Sequence, residues 1–416
     1  MSESELGPDG ASRSSYRRVF ANREARGLLI AQTASDLGDQ AARVAIALLV
    51  LERTGNVLFG ALALAVSYLP GVVGEAVLGS LADRFPRRAI MLACDLLRFG
   101  IIVVLALLGA HTAPLVPVYL LLLVSEFVAM PFGTARASLY PDVVAGRADY
   151  ITAQGLSRTV HLVTQVFGAV IGGFLVDAIG ASLTLAFDAL TFLFSYLVVR
   201  LYVRERPVAA EPGTSASRLV SDVAEGARDL FGDPVRRMIT LLGWMSALFL
   251  VAPEAVALAY RPGLSGTMGG VLLAAVPAGS AVGALLIPRL GMRDQLRLLL
   301  PLAALSCVPL FATSVDPAPA VAGALWFVAG VLQAFVLTVI AAVTMLTPRD
   351  MRGRVLGLAA AGFNGLTAIA FALTGWLATV SGIGPARAVS LAGAGGLVMV
   401  ALLRAVWPSE AIRRAV

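Results

Sequence analysis

Twelve long apolar segments constrain the fold of this chain more than any other feature of its sequence. A helix rises about 1.5 Å per residue, so about 20 apolar residues cross the roughly 30 Å of hydrocarbon in a bilayer, where backbone polar groups must pair internally. These segments predict an all-α membrane protein with twelve transmembrane helices in two bundles of six. They lie at 27–51, 57–82, 89–110, 115–139, 151–178, 181–202, 237–261, 267–289, 296–314, 319–346, 353–380 and 385–407.

The arginines give the predicted helices an orientation. The chain of 416 residues is 58% hydrophobic and 14% charged, and its formal charge of +6 comes without a single lysine. Most arginines fall in alternate loops, whereas the opposite loops hold Arg53, Arg261 and Arg387. Cytoplasmic loops carry the excess of basic residues in membrane proteins. Both termini are therefore predicted to be cytoplasmic, and the basic charge does not indicate nucleic-acid binding.

Five parts are predicted along the chain: a cytoplasmic tail over 1–26, a first bundle over 27–202, a linker over 203–235, a second bundle over 236–407 and a cytoplasmic tail over 408–416. The linker starts with Pro, Gly and Ser and continues at helical spacing, which predicts an amphipathic helix on the membrane surface. The first tail lacks the apolar stretch of a signal peptide, so it is expected to stay uncleaved.

A short charged turn joins the second and third apolar segments, with the sequence Gly79-Ser80-Leu81-Ala82-Asp83-Arg84-Phe85-Pro86-Arg87-Arg88. It is too brief and too charged to lie in hydrocarbon, so a tight cytoplasmic hairpin is predicted. Asp83 ends a helix, where the negative pole of the dipole is unfavourable for a carboxylate. It therefore needs a positive partner, either a nearby arginine or the N-terminus of another helix.

The turn resembles motif A of the major facilitator superfamily, with Pro86 standing where that family usually has glycine. The resemblance implies a transporter of two parallel six-helix repeats with its substrate site between them near mid-membrane. It also implies a conformational latch between the turn and the start of the eleventh segment. The latch residues are Gly79, Asp83, Arg84, Arg87, Arg88, Gly353 and Arg354. The simpler interpretation is that these arginines satisfy the positive-inside tendency.

Other stretches extend the resemblance over nearly the whole chain. Pro141 and Arg147 recur 207 residues later as Pro348 and Arg354. The stretches 35–39 and 225–237 resemble the enterobactin-exporter-like and macrolide-efflux-like subgroup of drug:proton antiporters. The fifth segment holds a stretch similar to antiporter motif C, with alanine replacing its proline, and its glycines are Gly168, Gly172 and Gly173. The alternative for these glycines is close helix packing alone.

The first apolar segment carries a polar face made of Gln32, Asp36, Asp39 and Arg43, at spacings of four, three and four. Asp36 lies about 14 Å along the helix, near the membrane centre. Arg43 is expected to neutralise Asp39, which leaves one carboxylate to take up and release a proton. The alternative is a closed network that only fixes this helix against a neighbour.

The fifth segment carries a similar face, made of Gln154, Arg158, His161 and Gln165. It suits the wall of a polar cavity, although a lone histidine in a membrane helix is also commonly a hydrogen-bonded packing residue. In the neighbouring segments, Glu126 is expected to balance Arg158. Asp95 and Arg98 are expected to pair with each other, or with Glu75 at the end of the second segment. The predicted proton-coupling residues are Asp36, Asp39, Glu126 and His161. The predicted substrate-cavity residues are Gln32, Arg43, Arg158, Gln165, Gln333 and Asn364.

These features predict a monomeric, multi-pass plasma-membrane transporter that exports small amphipathic molecules in exchange for protons. Its expected partners are substrate, protons and membrane lipid. No cofactor, metal, nucleotide or nucleic acid is expected, because no phosphate-binding loop is present and the two histidines lie on different segments. The alternatives are a lipid flippase or nutrient symporter of the same fold, and a membrane sensor or scaffold that does not transport. An enzyme is the least favoured alternative.

Overall fold

The computed structural model describes residues 16–72, 85–110, 114–206, 216–348, 351–380 and 382–408, and every regular element in these ranges is a helix. Short 3₁₀ turns follow α9, α10 and α11. The helices are α1 (Arg23–Thr54), α2 (Val57–Val66), α3 (Arg87–Ala110), α4 (Leu115–Val143), α5 (Arg147–Ile179), α6 (Ala181–Tyr202), α7 (Ala216–Gly232), α8 (Pro234–Leu250), α9 (Ala252–Val256), α10 (Gly266–Leu286), α11 (Met292–Ala312), α12 (Pro319–Gln333), α13 (Phe335–Leu346), α14 (Arg352–Thr379) and α15 (Gly384–Ala405).

Ten stretches of helix among the described residues are long and apolar enough to cross a membrane. They are α3 to α6, α8 with α9, α10, α11, α12 with α13, α14 and α15. The first helix has 32 residues, but it lies outside this set because it carries the polar face found in the sequence. The second is a 10-residue apolar helix. The all-helical membrane architecture is confirmed, while the number twelve and the orientation stay predictions.

Two of the ten membrane-length stretches consist of two helices separated by a short break. The first break separates α8 from α9 at Val251, just before Pro253, whose ring cannot donate a backbone hydrogen bond. The second separates α12 from α13 at Ala334. Interruptions of this kind are tolerated at membrane depth where the freed backbone groups are buried in protein or line a cavity.

One compact unit contains the described parts of Met1–Ala42, Val77–Gly168 and Ser182–Gly213. Its buried core joins α1, α3, α4, α5 and α6, and Cys94 lies inside it as the expected packing residue. The core residues are Val19, Ala25, Leu28, Ala31, Ile90, Met91, Cys94, Phe132, Ala135, Leu139, Tyr140, Val144, Ala153, Val198, Val199 and Val203. This packing fixes the polar faces of α1 and α5 within the same unit.

The second compact unit contains the described parts of Arg43–Ala76, Ala169–Ala181 and Thr214–Val416. Within it α10 and α12 approach so closely that a Cβ at Gly279 would overlap the carbonyl of Phe327. Missing side chains let helix backbones meet in this way in a membrane. Residues of α1 and α5 belong to both units, so the units are defined by packing in space and not by position along the chain. The predicted bundle boundaries at 27–202 and 236–407 therefore stay a prediction.

Candidate functional site

The polar faces of α1 and α5 meet in the first unit. Gln32 donates from Nε2 to the Ser157 carbonyl at 2.9 Å, and the Ser157 hydroxyl donates back to Gln32 Oε1 at 2.7 Å. Gln32 is 1% exposed. Gln32 Nε2 also lies 3.1 Å from Asp36 Oδ2. The spacing in the sequence identified both helical faces, but Ser157 was missed, although it lies one helical turn before the predicted His161.

The carboxylate of Asp36 faces the imidazole of His161 across the same contact. Nδ1 of His161 lies 3.4 Å from Asp36 Oδ2, and the side chains are 45% and 18% exposed. Arg136 of α4 also acts electrostatically on Asp36. Two titratable groups from two helices are therefore in contact while partly exposed, and the strength of this contact depends on which of them carries a proton.

The other aspartate of α1 binds an arginine of α3. The guanidinium of Arg98 contacts both carboxylate oxygens of Asp39, with one of the two bonds at 3.2 Å. Its Nε lies 3.4 Å from Ser125 Oγ, and its plane lies 4.2 Å from the ring centre of Phe192. Arg98 is buried and Asp39 is 21% exposed. A planar, bidentate arrangement of this kind is the strongest geometry for an arginine and a carboxylate.

The predicted pairing of Asp95 with Arg98 is wrong. Both arms of the Arg98 fork go to Asp39, and Asp95 accepts a hydrogen bond of 2.8 Å from the hydroxyl of Ser195. Residues three apart are neighbours on a helix, but a facing helix can offer an arginine both oxygens of a carboxylate at once. Arg43 acts electrostatically on Glu254 of α9, and its pairing with Asp39 stays a prediction. Glu75, the other expected partner, lies outside the described residues.

The remaining predicted residues of the first unit lie on α4 and α5. Glu126 is buried on α4, and its charge acts on Arg98. Arg158 is exposed, and Gln165 is half-buried. Gln154 donates to the hydroxyl of Tyr150 at 3.1 Å, one turn earlier on the same helix.

Gln333 and Asn364 lie in the second unit. Gln333 is the last residue of α12, and its Oε1 is buried without a hydrogen-bond partner among the described residues. Asn364 lies on α14 against Gly71, where a Cβ would overlap its amide. A buried acceptor beside a helix break is a place where a bound molecule can donate a hydrogen bond.

The predicted latch falls partly outside the described residues, because Gly79, Asp83 and Arg84 are not among them. Arg87 binds the Ser138 carbonyl at 2.8 Å and also the carboxylate of Asp142, which joins α3 to the end of α4. Arg88 donates to the Arg200 carbonyl at 2.9 Å, at the end of α6.

At the predicted docking point of the latch, Arg354 pairs with Glu225 of the linker helix α7 at 2.6 Å. An added Cβ at Gly353 would meet open space among the described residues. The linker helix is found where the sequence predicts one, and it packs against the start of α14, with Gly226 beside the Arg354 carbonyl. Its location on a membrane surface stays a prediction.

A second helix-end carboxylate, missed in the sequence, binds the N-terminus of α10. Asp177 Oδ1 accepts from the Gly266 N–H at 2.7 Å, and Oδ2 accepts from the N–H and hydroxyl of Thr267 at 2.8 and 2.5 Å. The exposed N–H groups and positive pole of a helix N-terminus favour an anion there. Asp177 lies at the C-terminal end of α5, as Asp83 was expected to lie at the end of its helix. A carboxylate at this unfavourable end of a helix was the signal in the sequence that could have identified Asp177.

The glycines of α5 explain how Asp177 reaches α10. A Cβ at Gly173 would overlap the carbonyl of Gly266, and a Cβ at Gly270 would overlap the carbonyl of Ala169. Gly168 lies in the first unit against the side chain of Gln40. Gly172 is buried on the same helix. The predicted close packing is therefore observed, and its partner helix at Gly173 is α10.

One ion pair lies just before the first apolar segment. Glu24 accepts from Arg206 at 2.5 and 2.9 Å and from the Arg204 N–H at 3.0 Å. Burial raises the pKa of Glu24, but these hydrogen bonds and the two arginine charges outweigh it and leave the pKa below its ordinary value. This pair stabilises the junction between α1 and the end of α6.

Comparison with known proteins decides the family. The family model described as the Major Facilitator Superfamily matches residues 28–345. The chain belongs to the Major Facilitator Superfamily. Members of this superfamily are transporters, so the protein is a multi-pass transporter of the plasma membrane that carries small molecules, and it is not an enzyme.

Relatives within the Major Facilitator Superfamily include exporters. The chain is 26% identical over 287 residues to the multidrug efflux pump Tap of Mycobacterium tuberculosis, covering 67% of this chain and 68% of that protein. It is 29% identical over 348 residues to the enterobactin exporter EntS of Escherichia coli, covering 80% and 79%. It is 30% identical over 183 residues to the uncharacterized transporter YkuC of Bacillus subtilis, a match that spans 42% of that protein.

Solved structures of the Major Facilitator Superfamily share the fold. A peptide transporter of the POT family in complex with sulfate superimposes with a TM-score of 0.73 at 13% identity, covering 96% of this chain and 99% of that chain. The nucleoside transporter NupG gives 0.70 at 13% identity, with 92% and 99% covered. At these identities the likeness concerns the fold alone.

Proposed function

We propose that this transporter is a proton-coupled exporter of small amphipathic molecules that works by alternating access. The observation that carries the proposal is the contact between Asp36 and His161, two partly exposed titratable groups on different helices. With His161 protonated and Asp36 ionised the contact is an ion pair; with Asp36 protonated it is weakened. Proton occupancy thus changes how α1 binds α5.

Export is favoured by two observations. The relatives named as a multidrug efflux pump and an enterobactin exporter are both exporters. The stretch of α5 around Gly173, similar to the antiporter motif, packs backbone to backbone against α10. Within the first unit the proposed substrate contacts are Gln32, Arg158 and Gln165. Within the second unit they are Gln333 and Asn364.

We further propose that the Asp177 contact closes the outer end of the substrate path. The positive-inside tendency puts Arg87, Arg88 and Arg354 on the cytoplasmic side, and Asp177 lies at the opposite end of its helix from Arg147. The predicted latch of Asp83 on Gly353 and Arg354 would close the inner end in the alternate state. In the described state Arg354 pairs with the linker helix.

Everted vesicles from a pump-deficient bacterial host test the proposal, with ethidium as the probe. Vesicles with the wild-type protein should take up ethidium when a proton gradient is present, and nigericin should abolish the uptake. Asp36→Asn should abolish the gradient-driven part. Asp294→Asn is the matched control, since Asp294 is 59% exposed and meets only Arg297, at 3.6 Å, among the described residues. Ethidium uptake that continues in the presence of nigericin would refute proton coupling.

A further inference from the structure

A fully buried carboxylate on α6 belongs to the Arg98 cluster, and neither the sequence nor the proposed mechanism assigns it a role. Asp188 is 0% exposed, and its Oδ2 has no hydrogen-bond partner among the described residues. The hydroxyl of Thr191 lies 3.2 Å from Oδ1, but it also lies 2.8 Å from the Asp188 carbonyl. A hydroxyl has one proton to donate, and the shorter contact favours the carbonyl.

An ionised carboxylate in this position would be poorly compensated. An ionised carboxylate accepts several hydrogen bonds. Burying it without these partners carries the large free-energy penalty of an unpaired buried charge. A protonated carboxyl group needs fewer partners and can itself donate. The local geometry of Asp188 therefore suits a proton-carrying state better than an ionised one.

Helix α1 lies directly against this carboxyl group. A Cβ at Gly38 would overlap both Asp188 Oδ1 and Thr191 Oγ1. Only a residue without a side chain allows this approach, and it brings the following residue, Asp39, to the same level as Asp188. The two carboxyl groups thus face the α3 guanidinium from two different helices.

Arg98 is the cation that these carboxyl groups share. Its fork is bonded to Asp39, while the charges of Asp188 and Glu126 also act on it. Phe192, one turn after Asp188, lies under the guanidinium at 4.2 Å, so α6 packs against Arg98 on a second side. Asp95 of α3 also faces the cluster, because the charges of Arg98 and Asp39 act on it. An arginine stays protonated, and the Nη1–Nη2 edge that binds Asp39 here can hold one carboxylate at a time in this bidentate arrangement.

We propose that Asp188 is a second proton carrier that exchanges the Arg98 fork with Asp39. When Asp39 is ionised it holds the fork, and Asp188 keeps its proton. When a proton binds to Asp39, the fork moves to Asp188, whose carboxyl group releases its proton. One proton enters at Asp39 from water, and one passes from Asp188 to water once the fork has moved, so the charge of the cluster is unchanged. This deepens and rests on the proposed proton coupling.

Infrared spectroscopy of the purified protein tests the exchange without any substrate. The C=O stretch of a protonated carboxyl group is distinct from the bands of a carboxylate, and its intensity can be followed over pH. Wild-type protein at neutral pH should show this band, and a difference spectrum between wild type and Asp188→Asn should contain the component that belongs to Asp188. Asp95→Asn is the matched control, because Asp95 is also buried but holds the Ser195 hydroxyl at 2.8 Å; it should keep the Asp188 band.

The decisive variant leaves Asp188 untouched. Asp39→Asn frees the fork of Arg98, so Asp188 should ionise and its band should disappear in this variant too. Asp39 is partly exposed, so this variant also keeps the test open if Asp188→Asn does not fold. A band whose intensity in Asp39→Asn, or in Asp188→Asn, equals that of the wild type would overturn the exchange.

Ethidium uptake separates this proposal from the general one. Gradient-driven uptake that persists in Asp188→Asn would overturn the role of Asp188 and leave proton-coupled export standing. Wild-type ethidium uptake that continues in the presence of nigericin would refute proton coupling. Loss of the Asp188 band in both Asp39→Asn and Asp188→Asn would still establish the exchange of the Arg98 fork.

Discussion

Removing the Asp177 carboxylate should open the contact between α5 and α10. In the structure this carboxylate accepts two backbone N–H groups and one hydroxyl, at 2.5 to 2.8 Å, at the N-terminus of α10. Replacing a capping side chain by alanine costs about 0.5–2 kcal/mol, and an anion at a helix N-terminus contributes about 0.3–1 kcal/mol at an exposed site.

Asp177 is exposed, so the lower part of these ranges applies, and Asp177→Ala should cost the closed state about 1–2 kcal/mol. Since 1.4 kcal/mol is a factor of ten, the ratio of open to closed molecules should rise roughly 5- to 30-fold. Asp177→Asn keeps one acceptor oxygen but loses the charge, so it should destabilise the closed state by about half of this free energy.

Spin labels at Ala178→Cys and Leu264→Cys measure this ratio by double electron–electron resonance. The native Cys94 and Cys307 are both buried, so labels should attach selectively to the new cysteines. Asp177→Ala should add or enlarge a population with a longer distance between the labels. An unchanged distance distribution in a folded Asp177→Ala protein would show that glycine packing alone holds the two helices together.

Three further predictions follow from the same structure. Gly173→Ala should lengthen the same spin-label distance, because its Cβ would overlap the α10 backbone, whereas Gly155→Ala on the same helix points into open space and should leave the distance unchanged. His161→Gln keeps a hydrogen-bonding side chain but cannot become a cation beside Asp36, so gradient-driven ethidium uptake should fall; uptake equal to that of the wild type would contradict a role in coupling. Glu24→Gln should destabilise the protein by about 1 kcal/mol at pH 7 in urea or thermal unfolding, given the charged hydrogen bonds lost at a partly exposed site. Because the folded-state pKa of Glu24 is lowered, the wild-type advantage should be full above the ordinary value of 4.5 and vanish as the pH falls through the lower value; an advantage that persists in acid would contradict this assignment.

The sequence predicts elements well here because helical spacing is a local property. The polar faces of α1 and α5 follow from spacings of four and three residues, and both are present in the structure. Tertiary packing decides which helical faces contact each other. The bonds from Gln32 to Ser157 and from Arg98 to Asp39 were therefore not predictable from spacing. The wrong pairing of Asp95 with Arg98 has the same origin, since only neighbours on one helix are visible in a sequence.

Asp177 and Asp188 were missed for different reasons. The sequence did contain a signal for Asp177, a carboxylate at the unfavourable end of a helix, but the same signal was interpreted only at the motif A turn. For Asp188 the deciding fact is that Gly38 of another helix lies against its carboxyl group. No local pattern contains that contact.

The glycine seam between α5 and α10, formed by Gly173, Gly266 and Gly270, has a consequence for how fast such a contact can work. An ordinary interface immobilises side chains each time it forms, at about 0.5–1.5 kcal/mol for each flexible side chain. These three glycines have no rotamers to immobilise, so docking and release of the two backbones leave side-chain entropy nearly untouched. The seam can therefore open once a few hydrogen bonds at its rim are lost, without waiting for any side chain to repack.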